Sequence, residues 1–291
     1  MFSYISHGQS FLEKSSNFNL KRTLTISAIN AGIWGGSIGG LYFVWYKGFP
    51  KSNFHTFNDS HEWKQMDKLG HITASYQLAR TSGDLYKWSG ISSEKSTLIG
   101  GVFAFSYLLT FEFLDAYNAN WGFSWTDIGA NTTGVVLYGV QSYFWEKQYI
   151  KPKFSYHISN LAQYRPNVLG GNTLESLLKD YNGQTYWLSF NPVSMINSEL
   201  NFPKWINVSL GYSINNQLIG DGGTFVTTQY NEQLSFIPYR QFYLSLDIDW
   251  EEIPVKSKGL KLLFRGLNFV KIPFPGIEFS NKGIKGYSLY F

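Results

Sequence analysis

Phe242-Tyr243-Leu244-Ser245-Leu246-Asp247-Ile248-Asp249-Trp250 decides how the second half of this chain folds. Positions 242, 244, 246, 248 and 250 are all apolar, and the residues between them are Tyr, Ser, Asp and Asp. A period of two is the signature of a strand, and this strand divides a greasy environment from a wet one. Either a soluble sheet packed on a core or a sheet facing lipid produces such a pattern. The alternation recurs upstream. Tyr186, Leu188 and Phe190 alternate with Thr185, Trp187 and Ser189, and Ile206, Val208, Leu210, Tyr212 and Ile214 alternate with Trp205, Asn207, Ser209, Gly211 and Ser213.

About six strands stand out after Pro152, and further ones are expected in Lys153–His157, in Gly223–Gln229 or in the N-terminal run. The end, Gly286-Tyr287-Ser288-Leu289-Tyr290-Phe291, alternates again and closes on an aromatic residue. It resembles the closing strand of bacterial outer-membrane barrels, although such barrels need at least about eight strands. Ser257 to Lys271 reads as a basic amphipathic helix, with Leu260, Leu263, Phe264 and Leu267 opposite Lys258, Lys261 and Arg265. Such a helix suits a membrane interface or an ordinary protein surface.

Before Lys151-Pro152 the period is 3.6. Leu24 to Tyr46 carries no charge and is long enough to cross a bilayer. Its glycines at 32, 36 and 40, with 35 and 39 alongside, form a smooth stripe suited to close helix packing. Lys47-Gly48-Phe49-Pro50 should stop this helix, and Asn58-Asp59-Ser60 should cap the next. Residues 61 to 88 predict an amphipathic helix in which Asp67, His71 and Ser75 line one side and Leu69, Ile72, Tyr76 and Ala79 provide apolar contact. A third helix is expected from Ser96 to Ala116. Ser124-Trp125-Thr126-Asp127 has capping-box spacing and predicts a fourth, from Trp125 through Trp145, with Gly129, Gly134 and Gly139 admitting close neighbours.

The composition points to contact with lipid or with a wide sheet surface. Aromatic residues make up 19% of the 291 positions and charged residues 15%, well under the roughly 25% usual for soluble domains. A mean hydropathy of -0.17 argues against a bundle of many membrane-spanning helices. The net charge of +4 is mild and its lysines and arginines are scattered, which excludes nucleic acid as the expected partner. Without cysteine there can be no disulfide, thiolate metal site, cysteine nucleophile or lipid-modified cysteine. Met1 to Asn19 is polar, and the first apolar run follows Lys21-Arg22. The expectation is therefore a start lying inside a longer precursor, with the run after Lys21 as targeting element the alternative.

Polar residues recur at helical spacing beside apolar ones: Asp67 with His71, Glu112 with Asp115, Asp127 with Asn131. Such groups are costly to bury unless they meet one another. Three chemistries suit the set. His71 with Glu112, Asp115 or Asp127 could hold a divalent metal such as zinc or manganese. His71 or Glu112 could take a proton from water, with Asp127 as orienting acid and Lys68 as anion contact. The same residues could instead form a structural network that fixes the register of three helices. Asp67, Lys68, Asp115, Trp125 and Asn131 complete the candidate binding set.

These residues also resemble the YfiM-like family of predicted periplasmic lipoproteins. The shared pattern is Asp67, Lys68 and His71, then Glu112 and Asp115, then Gly122, Ser124, Trp125, Asp127 and Gly134, across roughly residues 62 to 145. More distantly, Asp127, Asn131 and Gly134 are similar to a run in VanZ-like membrane proteins. The whole chain, including Lys179 to Ser189, resembles a longer form found in Bacteroidota that has a β-rich extension. The resemblance implies an envelope location and no established activity. The family's lipid-anchoring cysteine is not matched, so membrane attachment would fall to the extension.

The expectation is an α+β protein. Residues 1–19 form a polar segment, and residues 20–150 a bundle of about four helices carrying the polar site. Residues 151–291 form an antiparallel, barrel-like module in or on the outer membrane. The helical module would bind lipid or an envelope protein; the alternative is a hydrolase acting on an envelope lipid or a cell-wall precursor.

Overall fold

A computed structural model describes residues 11–43, 50–196, 202–229 and 232–290. The expected helix stop at 47–49 and the terminal Phe291 lie outside the described residues, as does most of the polar N-terminal segment. Helix α1 (Leu20–Leu41) starts four residues earlier than expected, because the Asn19 side chain accepts from the Arg22 amide at 3.0 Å. Its glycine stripe packs against nothing described: a Cβ at Gly32, Gly35, Gly36, Gly39 or Gly40 would meet open space. The helix instead joins the bundle through its polar side. Asn30 donates to Ser82 at 2.9 Å, and Ser27 bonds Tyr86 at 3.0 Å.

The second helix also begins differently. Trp63, Lys64 and Gln65 take φ of 46°, 50° and 68°, a left-handed turn, and α2 (Met66–Trp88) starts only after it. Left-handed backbone costs about 1–2 kcal/mol per residue, so this turn must be held from outside. The Trp63 amide donates to the Gly220 carbonyl at 2.7 Å, and the Tyr212 hydroxyl donates to the Lys64 carbonyl at 2.6 Å. Asp59 is drawn away from capping by other partners, described below. Helices α3 (Ser93–Asp115) and α4 (Trp125–Trp145) then pack on α2 around Tyr76, Ala79, Ala104 and Tyr138. The Ser124 side chain accepts from the Asp127 amide at 3.1 Å, the expected cap. A Cβ on Gly134 would strike Ser75 and the α2 backbone, whereas Gly129 and Gly139 face open space. By length and composition α3 could cross a membrane; among the described residues it is the one helix that could.

The second half follows as β1 (Ile150–Tyr156), α5 (Pro166–Leu169), α6 (Thr173–Lys179), β2 (Gln184–Phe190), α7 (Pro192–Ile196), β3 (Ile206–Asn215), β4 (Phe225–Gln229) and β5 (Glu232–Phe236). It ends with β6 (Tyr239–Ile248), α8 (Lys258–Leu267), β7 (Phe274–Ser280) and β8 (Gly283–Tyr290). Six strands form one antiparallel sheet in the order β1-β2-β3-β6-β7-β8, and β4 pairs with β5. The barrel-like expectation is corrected here: β1 and β8 are the two edges, they do not pair with each other, and the sheet is open. The segment after α8 covers the β1 edge instead, with Phe154 bonded to Phe269 and Lys271 at 2.9 Å each.

Register sorts the side chains into rows. Phe154, Tyr186, Tyr212, Phe242, Phe279 and Ile284 form one row across all six strands; Pro152, Leu188, Leu210, Leu244 and Ile277 form the next on that face. Rows of the opposite face carry Lys153, Trp187, Gly211, Tyr243 and Glu278, then Lys151, Ser189, Ser209 and Ser245. This polar face is the buried one. The sheet coils around it far enough that Tyr290 on β8 bonds Thr185 on β2 at 3.2 Å and stacks on Tyr243 with ring centroids 4.1 Å apart. Inside, Lys153 and Asp247 pair at 2.7 Å with both side chains fully buried, and Ser189 donates to Asp247 at 2.6 Å. Helix α2 and its preceding turn cover one end of the apolar face, where Tyr186 lies against Gly70 and Tyr212 bonds Lys64, while Leu188 and Leu210 stay exposed.

Candidate functional site

The beginning of α2 carries Asp67, Lys68 and His71, and α4 carries Asp127 and Asn131 beside them. Both helices approach closely because Gly134 has no side chain. Lys68 forms the centre. Its ammonium lies 2.6 Å from Asp59, 2.6 Å from Asp127 and 3.0 Å from Asp67. Asp59 also accepts from the Ser124 and Thr126 hydroxyls at 2.7 and 2.6 Å. The loop before the left-handed turn is thereby tied to the start of α4.

His71 is the second centre. Its Nδ1 lies 2.9 Å from the Asn131 side-chain oxygen, an arrangement that makes Nδ1 the donor and fixes the ring. Nε2 then faces Asp127 at 3.7 Å and Asp67 at 3.8 Å, beyond hydrogen-bond reach of either. Glu112 approaches the other side of the ring, 3.9 Å from Nδ1, while its second oxygen receives the Ser124 amide at 3.4 Å. Tyr181, from the turn between α6 and β2, donates to Asp67 at 2.9 Å.

Burial sets the protonation states. It pushes Glu112 up to about 8, against the opposing pull of His71. Burial, followed by the Asp67 charge, pushes Asp127 up to about 7. Asp59 goes the other way, down to about 2, because hydrogen bonds from Lys68, Thr126 and Ser124 outweigh its burial. His71 and Lys68 are both raised: neighbouring carboxylates, Asp67 first, overcome the desolvation that would lower them. Near neutral pH the group therefore holds the Lys68 cation, ionised Asp59 and Asp67, a part-ionised Asp127 and a largely neutral Glu112, with the charged form of His71 favoured by the carboxylates around it.

The cluster is not sealed. A cleft of ≈ 340 Å³ opens over it, with Asp59, Asp67, His71 and Asp127 in its floor and Phe57, Trp63, Trp121 and Tyr181 in its walls. Glu62, Asp115 and Lys179 also line it. Asp115 thus reaches the cleft, Asn131 lies buried behind His71, and Glu112 is enclosed on the far side of the ring. Trp125 is exposed and stacks on Phe123, outside the cleft lining. The atoms with ligand spacing are those of Asp67, His71 and Asp127, all within 4.8 Å of one another. Asp59 escaped the sequence reading because Asn-Asp-Ser before a helix is ordinary capping chemistry, and Tyr181 because its role depends on a contact 114 residues away. Glu62 and Trp63 were hidden by the left-handed turn, which no helical period announces.

Residues 56–142 match the model of a family described as predicted periplasmic lipoprotein (DUF2279). The match takes in α2, α3 and nearly all of α4 with their site residues, and stops before Tyr181 and the sheet. It bears on the predicted-lipoprotein part of the resemblance and says nothing of YfiM or VanZ. No curated protein and no solved structure matches the chain. Similarity to a predicted periplasmic lipoprotein family over these residues supports a cell-envelope protein with an α+β fold.

Proposed function

We propose that this envelope protein uses the cleft over His71 to hold a polar group of an envelope lipid or of an envelope protein partner. The observation that carries this reading is convergence on an open cleft: side chains from three segments meet where a ligand can reach them, under aromatic walls. Carboxylates outnumber cations in the lining, which favours a ligand group bearing an ammonium, with Trp63, Trp121 and Tyr181 offering ring faces to it.

Tryptophan fluorescence in the cleft provides the test. A short-chain amine-bearing phospholipid should give saturable quenching, its anionic glycerol counterpart should give little, and Asp67→Asn should abolish the difference. Equal responses from both lipids, or an unchanged response in Asp67→Asn, would remove the proposal.

A second reading is metal-assisted or acid–base hydrolysis of an envelope lipid or cell-wall precursor, favoured by the approach of His71 Nε2 to Asp67 and Asp127. The Lys68 ammonium among the same carboxylates opposes it, since a dication would have to share them. Calorimetric titration with Zn²⁺ or Mn²⁺ separates the two. One ion per chain, lost in Asp127→Asn, supports the hydrolase; no uptake leaves the binding reading.

A further inference from the structure

Half of the sheet's apolar face has no cover. Helix α2 and its preceding turn shield it at Tyr186 and Tyr212, but Leu188 and Leu210 beside them are exposed, and so are Phe242, Leu244, Ile277 and Ile284, the last to 76%. The opposite face of β6 and β7 buries Tyr243, Ser245, Asp247 and Glu278. A water-soluble sheet would do the reverse, so burial here is inverted relative to water. Helix α8 continues the theme: Leu262, Leu263 and Leu267 are exposed, while Phe264 packs on Trp250 and Arg265 is bound to Asp84 and Glu251.

Charge identifies what covers this surface. From residue 239 to 290 every exposed charged side chain is basic: Arg240, Lys256, Lys258, Lys261, Lys282 and Lys285. The acids of that stretch, Asp247, Asp249, Glu251, Glu252 and Glu278, are all buried or half-buried. Arg240, two residues before Phe242 on the same face of β6, lies over the Tyr212 ring, and Lys282 lies in the β7–β8 turn, while Lys285 registers with Glu278 on the opposite face. An apolar face whose exposed charged neighbours are all basic is complementary to a bilayer with anionic headgroups. A second copy would bring its own basic groups against these and be repelled.

We propose that the β6–β8 face is a membrane-docking surface that lies on a bilayer containing anionic lipid. The sheet lies on the bilayer and does not cross it: among the described residues the β8 edge has no strand partner, and an unpaired edge is not tolerated in hydrocarbon. The inference is independent of what the cleft over His71 binds.

The absence of cysteine makes the test direct. A fluorescent label on Ile277→Cys, or separately on Lys285→Cys, is followed in the full chain with vesicles of phosphatidylethanolamine and phosphatidylglycerol whose acyl chains are brominated. Label at 277 should be quenched strongly and label at 285 weakly. The double variant Arg240→Glu/Lys282→Glu should weaken vesicle binding by about tenfold or more, as should 0.5 M salt. Circular dichroism of each variant confirms that it is folded. Equal quenching at both positions overturns the proposal. So does protection of position 277 without lipid in a species whose scattering mass is that of two chains.

Discussion

Helix α2 carries a polar cluster at each end, and the two differ in ways that separate scaffold from site. Near its C-terminal end Arg80 pairs with Glu251 at 2.6 Å, Lys151 with Asp249 at 2.5 Å and Lys147 with Glu252 at 2.7 Å, while Arg265 joins Asp84. Four cations meet four anions, and Asn268 supplies further bonds to Asp249 and Glu251 at 2.9 and 2.6 Å. This cluster clamps the helices to the sheet. At the N-terminal end carboxylates are in excess, two have raised pKa values, and the Nε2 of His71 faces two oxygens that it does not reach. A cleft of ≈ 210 Å³ opens over the first cluster as well, so the difference lies in charge: balanced, mutually bonded charges make a joint, whereas unbalanced charges leave room for something else.

Breaking the joint should have the largest effect. Arg80→Met leaves Glu251 in a buried setting with one fewer cation, and should cost about 3–5 kcal/mol in denaturant unfolding. Gly134→Ala comes next: its methyl must displace α2, for about 1–3 kcal/mol, and should also disturb the His71–Asn131 contact in an NMR titration of the imidazole. Glu112→Gln sharpens the contrast through pH. The unfolded chain releases this proton near 4.5 while the folded chain keeps it to about 8, so wild-type stability falls as pH rises across that window. The Gln variant lacks this loss and should match wild type near pH 4.5, exceed it by about 2 kcal/mol at pH 6 and by more above that. The smallest stability change is expected for His71→Ala, about 1 kcal/mol or less, because its ring is partly exposed; cleft binding should nonetheless be lost. If His71→Ala proves as destabilising as Arg80→Met, the two ends of α2 do not differ in kind.

Much of this architecture was legible because periodicity is local. The Ser124 cap, the span of α4 and the alternation from Phe242 to Ile248 each follow from neighbours in sequence. So did the meeting of Asp67, His71, Glu112 and Asp127, since isolated polar groups at helical spacing need one another. What escaped depends on partners far along the chain. The left-handed turn at 63–65 exists because Gly220 and Tyr212 hold it, and Tyr181 reaches Asp67 from another element. The clamp around Arg80 escaped for the same reason, its anions lying some 170 positions away. Glycine spacing misled where it was read by itself: the α1 stripe and Gly129 face space, while Gly134 is wedged.

The turn at Trp63–Gln65 has one more consequence. Its tryptophan forms part of the cleft wall, yet the bonds that hold its backbone come from the sheet half of the molecule. Gln141 adds a stitch at the boundary, accepting from the amides of Tyr149 and Ile150 at 2.8 and 2.7 Å. A gene fragment trimmed to the helices would thus encode every acid in the pocket but lose the scaffolding that shapes its rim. The strands shape the cleft as much as the helices that bear its charges.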